Sequence, residues 1–161
     1  MSENGCEAIA LYNAMIALDK PQKLADVVDY CEDSMWLLGY FGAHWEAIPN
    51  YLEEKGMNTE IAKSIESYQA VLQRYGYGIF TFWNEKGDIT EGIHTVFIEY
   101  VSEELILVYN RYSNSTDVKE YTDVYHLIEN GNLDGIQFVG VCKPIYKDTF
   151  PRNPGVYPIA I

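Results

Sequence analysis

The sequence predicts an α+β fold, in which N-terminal helices pack on an antiparallel β-sheet formed by the second half of the chain. As far as about residue 76, apolar residues recur at helical spacing, most clearly from Glu7 to Leu18. From Gly78 onward, the chain changes to alternating β-branched and aromatic runs that end at turn residues. Helices that come first and strands that come afterwards are typical of two layers packed across one core.

Five segments have the apolar spacing and the end signals of helices. The first, Glu7 to Leu18, is apolar or small at nearly every position, which predicts a central helix buried on most of its faces. Asn4 is a good N-cap and Glu7 completes a capping-box pattern, so Cys6 should lie near the second helical position. The other four helices are expected within residues 21–39, 47–57, 65–76 and 123–131.

The sheet should contain four main strands and a short one within residues 58–64. The tail, residues 146–161, holds three of the six prolines and should be irregular. The whole chain, residues 1–161, is expected to form a single domain. The four main strands are predicted at Ile79–Trp83, Thr95–Val101, Leu105–Tyr109 and Ile136–Cys142.

Charge and hydropathy exclude several classes of partner. The chain has 11 basic and 24 acidic side chains, a net charge of −13, so its surface should repel nucleic acid and anionic lipid. No stretch approaches the roughly 18 to 20 apolar residues that span a bilayer. The apolar run near the N-terminus lacks the preceding basic residues of a secretory signal. We therefore expect a soluble, cytoplasmic protein with no nucleic-acid partner and no membrane insertion.

The three cysteines, Cys6, Cys31 and Cys142, form an odd, widely spaced set without a CxxC pair. This set fits neither a disulfide framework nor a structural zinc site, so we expect no metal and no cofactor. The helical periodicity around Cys31 accounts for that residue. Cys6 differs, because a helix N-terminus stabilises a thiolate and lowers the thiol pKa. A lone cysteine is nevertheless more often a small buried residue.

A nucleophilic thiol needs a histidine that can hold its proton. His126 lies among acidic residues in a predicted helix, and packing against Trp45 explains His44 more simply. His94 follows a glycine and opens a strong strand, where its side chain can project from the sheet rim into a cleft. His94 is therefore the candidate base.

The hairpin that follows His94 relates this residue to Asn110. If Ser102 to Glu104 form a three-residue loop, Val101 pairs with Leu105. Asn110 then lies on the neighbouring strand and on the same sheet face as His94. A pairing shifted by two residues puts the two side chains directly opposite each other, whereas a two-residue loop puts them on opposite faces. Taken alone, Asn110 is a typical turn residue at a strand end.

The segment "NGCEAIALYNAM" resembles the helix that carries the nucleophile in papain-like cysteine peptidases. The closest likeness is to the compact bacterial domains that process double-glycine (bacteriocin) leaders and to their stand-alone relatives. The strands "GIHTVFIEY" and "LILVYN" are similar to that family's histidine strand and to the strand after it. The resemblance covers roughly Asn4 to Pro144 and implies a papain-like fold.

The resemblance implies a role for each matching residue. Cys6 would be the nucleophile, His94 the base and then the acid, and Asn110 the residue that orients the imidazole. Cys6 and His94 would form a thiolate–imidazolium pair near neutral pH. The family's oxyanion-binding glutamine has no counterpart before Cys6 in this sequence, so the Cys6 backbone amide and Asn4 would bind the oxyanion.

These residues favour a cysteine peptidase or amidase that forms an acyl-enzyme on a peptide or amide substrate. An acyltransferase could use the same three residues, because hydrolysis and transfer differ only in the group that attacks the acyl-enzyme. A catalytically weak or inactive binding module is the third hypothesis. It is favoured by the missing glutamine and by the negative charge of Glu7 beside the thiol.

Overall fold

The computed structural model describes residues 5–34, 44–112 and 116–144. The helices within these ranges are α1 (Gly5–Ala17), α2 (Leu24–Asp33), α3 (Ala47–Glu54), α4 (Ile65–Tyr75) and α5 (Val124–Gly131). The strands are β1 (Asn58–Ile61), β2 (Tyr77–Glu85), β3 (Asp88–Ser102), β4 (Leu105–Tyr109), β5 (Lys119–Tyr121) and β6 (Asp134–Cys142).

The described strands form one antiparallel sheet in the order β1-β6-β2-β3-β4-β5. Helices α1, α2 and α3 cover one face, where they pack on side chains that include Ile79 and Phe97. Helices α4 and α5 cover the other face, which includes Phe80 and Val96. The predicted α+β class is confirmed, but the expected two layers are wrong. The central strands are apolar on both faces, and each face therefore needs its own cover.

Helix α1 has the central position that its composition predicts. Ala10, Ala14 and Met15 are completely buried in the core on the α1 face. The predicted N-cap Asn4 lies outside the described residues, as do residues 35–39 of the second predicted helix and the predicted tail at 146–161. Among the described residues, no helix is both long and apolar enough to cross a bilayer.

The strand predictions agree with the sheet except at its edge. Strand β4 has the predicted bounds, β2, β3 and β6 extend beyond theirs, and β1 is the short strand expected within residues 58–64. Strand β5 has no counterpart among the predicted strands. Its three residues are too few to display an alternating pattern.

The hairpin that joins β3 to β4 turns through Glu103 and Glu104 alone, because Ser102 pairs with Leu105. The predicted three-residue loop is therefore wrong. Val101 is an extra residue on β3, at the point where the register of the ladder shifts. The strand thus contains a β-bulge immediately before the turn.

The bulge at Val101 restores the register that the longer loop would have produced. Phe97 pairs with Tyr109, as it would with a three-residue loop, and the β3–β4 ladder ends at this pair. His94 lies on β3 just beyond the ladder, and Asn110 follows the last residue of β4. The two residues therefore come to the same end of neighbouring strands.

Candidate active site

Cys6 is the second residue of α1 and is partly buried. Burial raises the pKa of its thiol, and the adjacent Glu7 carboxylate raises it further. Hydrogen bonds to the backbone and hydroxyl of Thr95 and to the Glu7 backbone lower the pKa without offsetting those effects. The stabilisation expected at a helix start is therefore present but smaller than the cost of burying a thiolate. The prediction of a lowered Cys6 pKa is wrong in its sign.

Thr95 links Cys6 to the sheet. It is completely buried on β3, and its Oγ1 lies 3.1 Å from Oγ1 of Thr81, its partner on β2. A hydroxyl donates one hydrogen bond and accepts others, so donation by Thr81 leaves the Thr95 proton for the Cys6 sulfur. Thr95 is not among the site residues predicted from the sequence. Two threonines at paired positions of apolar strands are the signal that could have identified it.

His94 immediately precedes Thr95, and its side chain is buried. Its Nε2 lies 2.5 Å from the main-chain carbonyl oxygen of Asn110. A carbonyl oxygen only accepts, so Nε2 carries the proton, and Nδ1 of the neutral ring is left as the proton acceptor. The ring also packs edge-on against Phe82, with 5.8 Å between ring centroids. These two contacts fix both the tautomer and the orientation of the imidazole.

The surroundings of His94 favour the neutral imidazole. Burial lowers its pKa, the Asn110 carbonyl raises it by less, and the positive charge of Arg111 lowers it further. The Cys6 thiol is displaced toward its own neutral form. Both groups are therefore displaced toward their neutral forms, and they do not form the predicted thiolate–imidazolium pair: His94 packs with Phe82 on the α4/α5 face of the sheet, whereas Cys6 contacts Thr95 on the α1 face.

Asn110 contacts His94 through its main chain. Its φ is +60°, in the left-handed region that asparagine tolerates better than most residues, and its carbonyl oxygen holds His94 Nε2. The side-chain Nδ2 instead lies 3.5 Å from the carbonyl oxygen of Thr95. The sequence assigned the orienting contact to the Asn110 amide, whereas the structure gives it to the carbonyl.

Arg111 is a buried cation near His94, and it is not among the site residues predicted from the sequence. Only 6% of its surface is exposed. The guanidinium carbon lies 5.4 Å from the ring centroid of Phe82 and 4.7 Å from that of Tyr112. Its Nε has no hydrogen-bond partner among the described residues. Nothing in the sequence marks Arg111, because a single arginine after a strand normally reaches solvent.

A pocket of about 480 Å³ opens on the α1 face of the sheet, and its wall includes Glu7, the residue that follows Cys6. It begins at Glu7 and at Thr81, the hydroxyl partner of Thr95. Most of its surface is apolar, and the other polar side chains in its wall are His44 and Gln137. The apolar wall consists of Trp45, Ile48, Ile61, Trp83, Ile93 and Ile136.

The two remaining histidines do not lie together. His44 lines this pocket and is close to Trp45, as expected, whereas His126 lies in α5 next to Thr122. Asn4, the expected second oxyanion donor, is outside the described residues. Over residues 5–34, 44–112 and 116–144, no cluster of three or more His, Cys, Asp or Glu side chains is suited to hold a metal ion.

Comparison with known proteins gives a structural likeness without a sequence match. Neither a protein-family model nor a curated protein matches the sequence. The structure is similar to the peptidase domain of Streptococcus ComA, a bi-functional ABC transporter involved in a quorum sensing pathway. The TM-score is 0.59 at 12% identity, and the match covers 89% of this chain and 95% of that domain. The chain therefore has the α+β fold of this peptidase domain.

Proposed function

We propose that the protein is a cysteine peptidase or amidase of the papain-like type, with Cys6 as nucleophile, His94 as base and acid, and Asn110 as the residue that orients His94. The observation that carries this proposal is the contact of Cys6, at the start of α1, with Thr95 of β3, the residue that follows His94. Successive strand side chains alternate faces, so the His94 imidazole, which is held by the Asn110 carbonyl and packs on Phe82, lies on the sheet face opposite to Cys6 and has to reach the thiol past the end of the strand. The fold shared with the ComA peptidase domain supports the same reaction class.

The neutral resting state favours a general-base mechanism. As the Cys6 sulfur attacks the amide carbonyl, Nδ1 of His94 would accept the thiol proton, which requires the imidazole to reach Cys6 from its position on Phe82. The developing oxyanion is bound by the Cys6 backbone amide and by Asn4, which we retain as the proposed second donor. His94 then gives its proton to the leaving amine, and a thioester remains on Cys6. Water that has lost a proton to His94 hydrolyses this thioester and restores the thiol.

Asn110 stabilises the intermediate state of this cycle. When His94 is protonated, Nε2–H still donates to the Asn110 carbonyl, and a hydrogen bond to a charged donor is stronger than one to a neutral donor. The carbonyl thus contributes most when the imidazolium forms. Arg111 opposes that charge and favours return of the proton to the leaving group.

Two alternatives have specific support. A binding module without activity is favoured by the raised pKa of Cys6, to which Glu7 contributes. An acyltransferase would use the same thioester and replace water with an amine. The likeness to leader-processing peptidases extends to this chain only as part of the proposal, with a peptide or an acyl or amide compound as substrate.

Acylation of Cys6 by p-nitrophenyl acetate tests the proposal. The reaction forms a thioester on Cys6 and releases p-nitrophenol, and mass spectrometry of the digest locates the acetyl group. We expect one rapid acetylation at Cys6 at pH 7.5 and a rate at least a hundredfold lower in His94→Ala, because a positioned base contributes roughly 10²- to 10⁴-fold. His126→Ala is the matched control and should react at the parent rate.

Cys142 provides an internal reference for the same experiment. It is partly buried and its pKa is also raised by burial, so it reports the reactivity of an unassisted thiol in this protein. Acetylation of Cys6 no faster than that of Cys142, or insensitive to His94→Ala, would overturn the proposed catalysis and favour the binding module.

A further inference from the structure

We infer that the pocket on the α1 face binds a protonated amine on an apolar stem, and that this group belongs to the substrate. The inference extends the proposed function by naming a substrate class. It depends on that function only for the identification of the occupant as a substrate. The pocket volume, about 480 Å³, lies within the range of sites for small ligands.

The acidic group that selects the amine is Glu7. Only 5% of this residue is exposed, and it forms part of the pocket wall. Burial is the larger cause of the raised pKa of Cys6 and of Cys31, but the negative charge of Glu7 raises both pKa values further, so its field extends to these two thiols. A carboxylate in such surroundings attracts a cation and repels an anionic ligand more strongly than it would in water.

Two of the other three polar groups of the pocket, Gln137 and Thr81, also suit an ammonium donor, and the third is His44, whose imidazole accepts a hydrogen bond in its neutral form. Gln137 donates its Nε2 to the main-chain carbonyl of Trp45 at 2.7 Å, which leaves its amide oxygen as an acceptor. The Thr81 hydroxyl can accept as well. An ammonium group has three N–H donors and no acceptor, so it can use Glu7, Gln137 and Thr81 together.

The apolar wall suits the stem of the same ligand. Trp45 and Trp83 both line the pocket, and Trp45 is 55% exposed. Indole faces attract cations as well as apolar groups, because the electron-rich ring face carries partial negative charge. A ligand with a positive end and an apolar stem therefore matches both parts of the wall, whereas a neutral or anionic ligand of equal size matches only the apolar part.

The position of the pocket relates the amine to the reaction. Glu7 follows Cys6 directly, and Thr81 is the hydroxyl partner of Thr95, which contacts the thiol. The pocket and the thiol therefore share the α1 face of the sheet and are linked through neighbouring residues of α1 and β3. We take the amine-bearing group to be the part of the substrate that lies in this pocket.

The test compares two probes of nearly equal size, phenethylamine and 2-phenylethanol, in an amide-resolved NMR titration of the unmodified protein. We expect phenethylamine to bind with a Kd at least tenfold below that of 2-phenylethanol, because hydrogen bonds to a charged group are about twice as strong as neutral ones. The largest shifts should occur at Glu7, at the Trp83 indole and at the Gln137 side chain.

Two isosteric variants assign the preference to one carboxylate. Glu7→Gln should reduce the preference for the amine to less than threefold, whereas Glu46→Gln should preserve it, since Glu46 is exposed and is not part of the pocket wall. If Glu7→Gln does not fold, the two probes still decide the question on the parent protein. Equal affinities, no saturable binding, or shifts located elsewhere would overturn the inference.

Binding of the amine is measured without turnover, so its outcome is separate from that of the acetylation experiment. A protein that binds the amine but is not acetylated at Cys6 would retain this inference and lose the proposed catalysis. A protein that is acetylated at Cys6 but does not prefer the amine would retain the proposed catalysis and lose this inference.

Discussion

Replacement of Asn110 distinguishes a main-chain from a side-chain role in orienting His94. Asn110→Gly removes the amide but tolerates φ of +60°, so the carbonyl oxygen can still hold Nε2 at 2.5 Å. The variant loses only the 3.5 Å contact from Nδ2 to the Thr95 carbonyl, which is long for a hydrogen bond. We therefore expect the rate of Cys6 acetylation to remain within about threefold of the parent rate.

A side-chain role would give a much larger effect. Loss of a hydrogen bond to a charged imidazolium costs about 1.5–3 kcal/mol, which corresponds to a rate lower by roughly ten- to a hundredfold. Asn110→Ala separates conformation from chemistry, because alanine in the left-handed region costs about 1–2 kcal/mol. The unfolding free energy of this variant in urea denaturation should be lower by that amount. The rate of Cys6 acetylation by its folded form should be close to the rate of Asn110→Gly.

The assay is the burst of p-nitrophenol from p-nitrophenyl acetate at pH 7.5, with His94→Ala as the baseline for an absent base. A rate for Asn110→Gly that falls tenfold or more, toward this baseline, would refute the main-chain assignment. It would show instead that the amide orients the ring, as the sequence predicts.

Three further results are expected. Glu7→Gln should lower the pKa of Cys6 and therefore increase iodoacetamide labelling of Cys6 at pH 8, because it removes a negative charge beside the thiolate. Arg111→Met should raise the pKa of His94, measured by NMR titration, and move the acid limb of the acetylation rate to higher pH. Burial raises the pKa of Cys31 to about 12, so the unfolding free energy should fall by up to about 1.4 kcal/mol per pH unit above pH 9, and Cys31→Ala should reduce this loss.

Each of these results has a control. Glu46→Gln removes an exposed carboxylate and should leave Cys6 labelling unchanged. Arg74→Met removes a cation that pairs with Glu60 at the surface, and it should not alter the His94 titration. An unchanged response in Glu7→Gln or Arg111→Met would contradict the corresponding electrostatic assignment. If the unfolding free energies of the parent and of Cys31→Ala fall equally above pH 9, the assignment of this pH dependence to Cys31 would be contradicted.

The pKa of His94 also predicts how stability depends on pH. The folded protein holds this histidine below its ordinary pKa, so in acid the unfolded chain binds the proton more readily than the folded chain. The unfolding free energy should therefore fall as the pH decreases below about 6.5. His94→Gln should weaken this dependence in urea denaturation between pH 7.5 and 5, and an identical slope would exclude His94 as its source.

Much of the fold follows from local patterns in the sequence. The alternation of "LILVY" between a turn and an asparagine defines β4 at both ends. The assignment of α4 and α5 to the second sheet face does not follow from such patterns. The 3.6-residue period identifies the apolar side of a helix but does not specify which face of a sheet it covers.

In the candidate site, too, some features follow from local sequence patterns and others depend on tertiary packing. Cys6, His94 and Asn110 could be selected from residue type and spacing, since helix starts and strand ends have clear signals. The dominance of burial in setting the Cys6 pKa depends on packing that the local sequence does not specify. The contact from the Asn110 carbonyl depends on one backbone dihedral, and the buried position of Arg111 depends on rings from elsewhere in the chain.

The extra residue at Val101 determines where this hairpin can change in length. With Val101 present and a two-residue turn, the pairing of Phe97 with Tyr109 requires the bulge. Deletion of Val101 would remove the one residue that this ladder leaves unpaired, so Tyr100 and Ser102 would keep their partners and β3 would lose only its bulge. Deletion of a paired residue of β4 would instead shift that strand relative to β3, and β5, which pairs only with β4 among the described strands, would have to follow. Natural variation in the length of this hairpin should therefore occur at Val101 and avoid the paired positions.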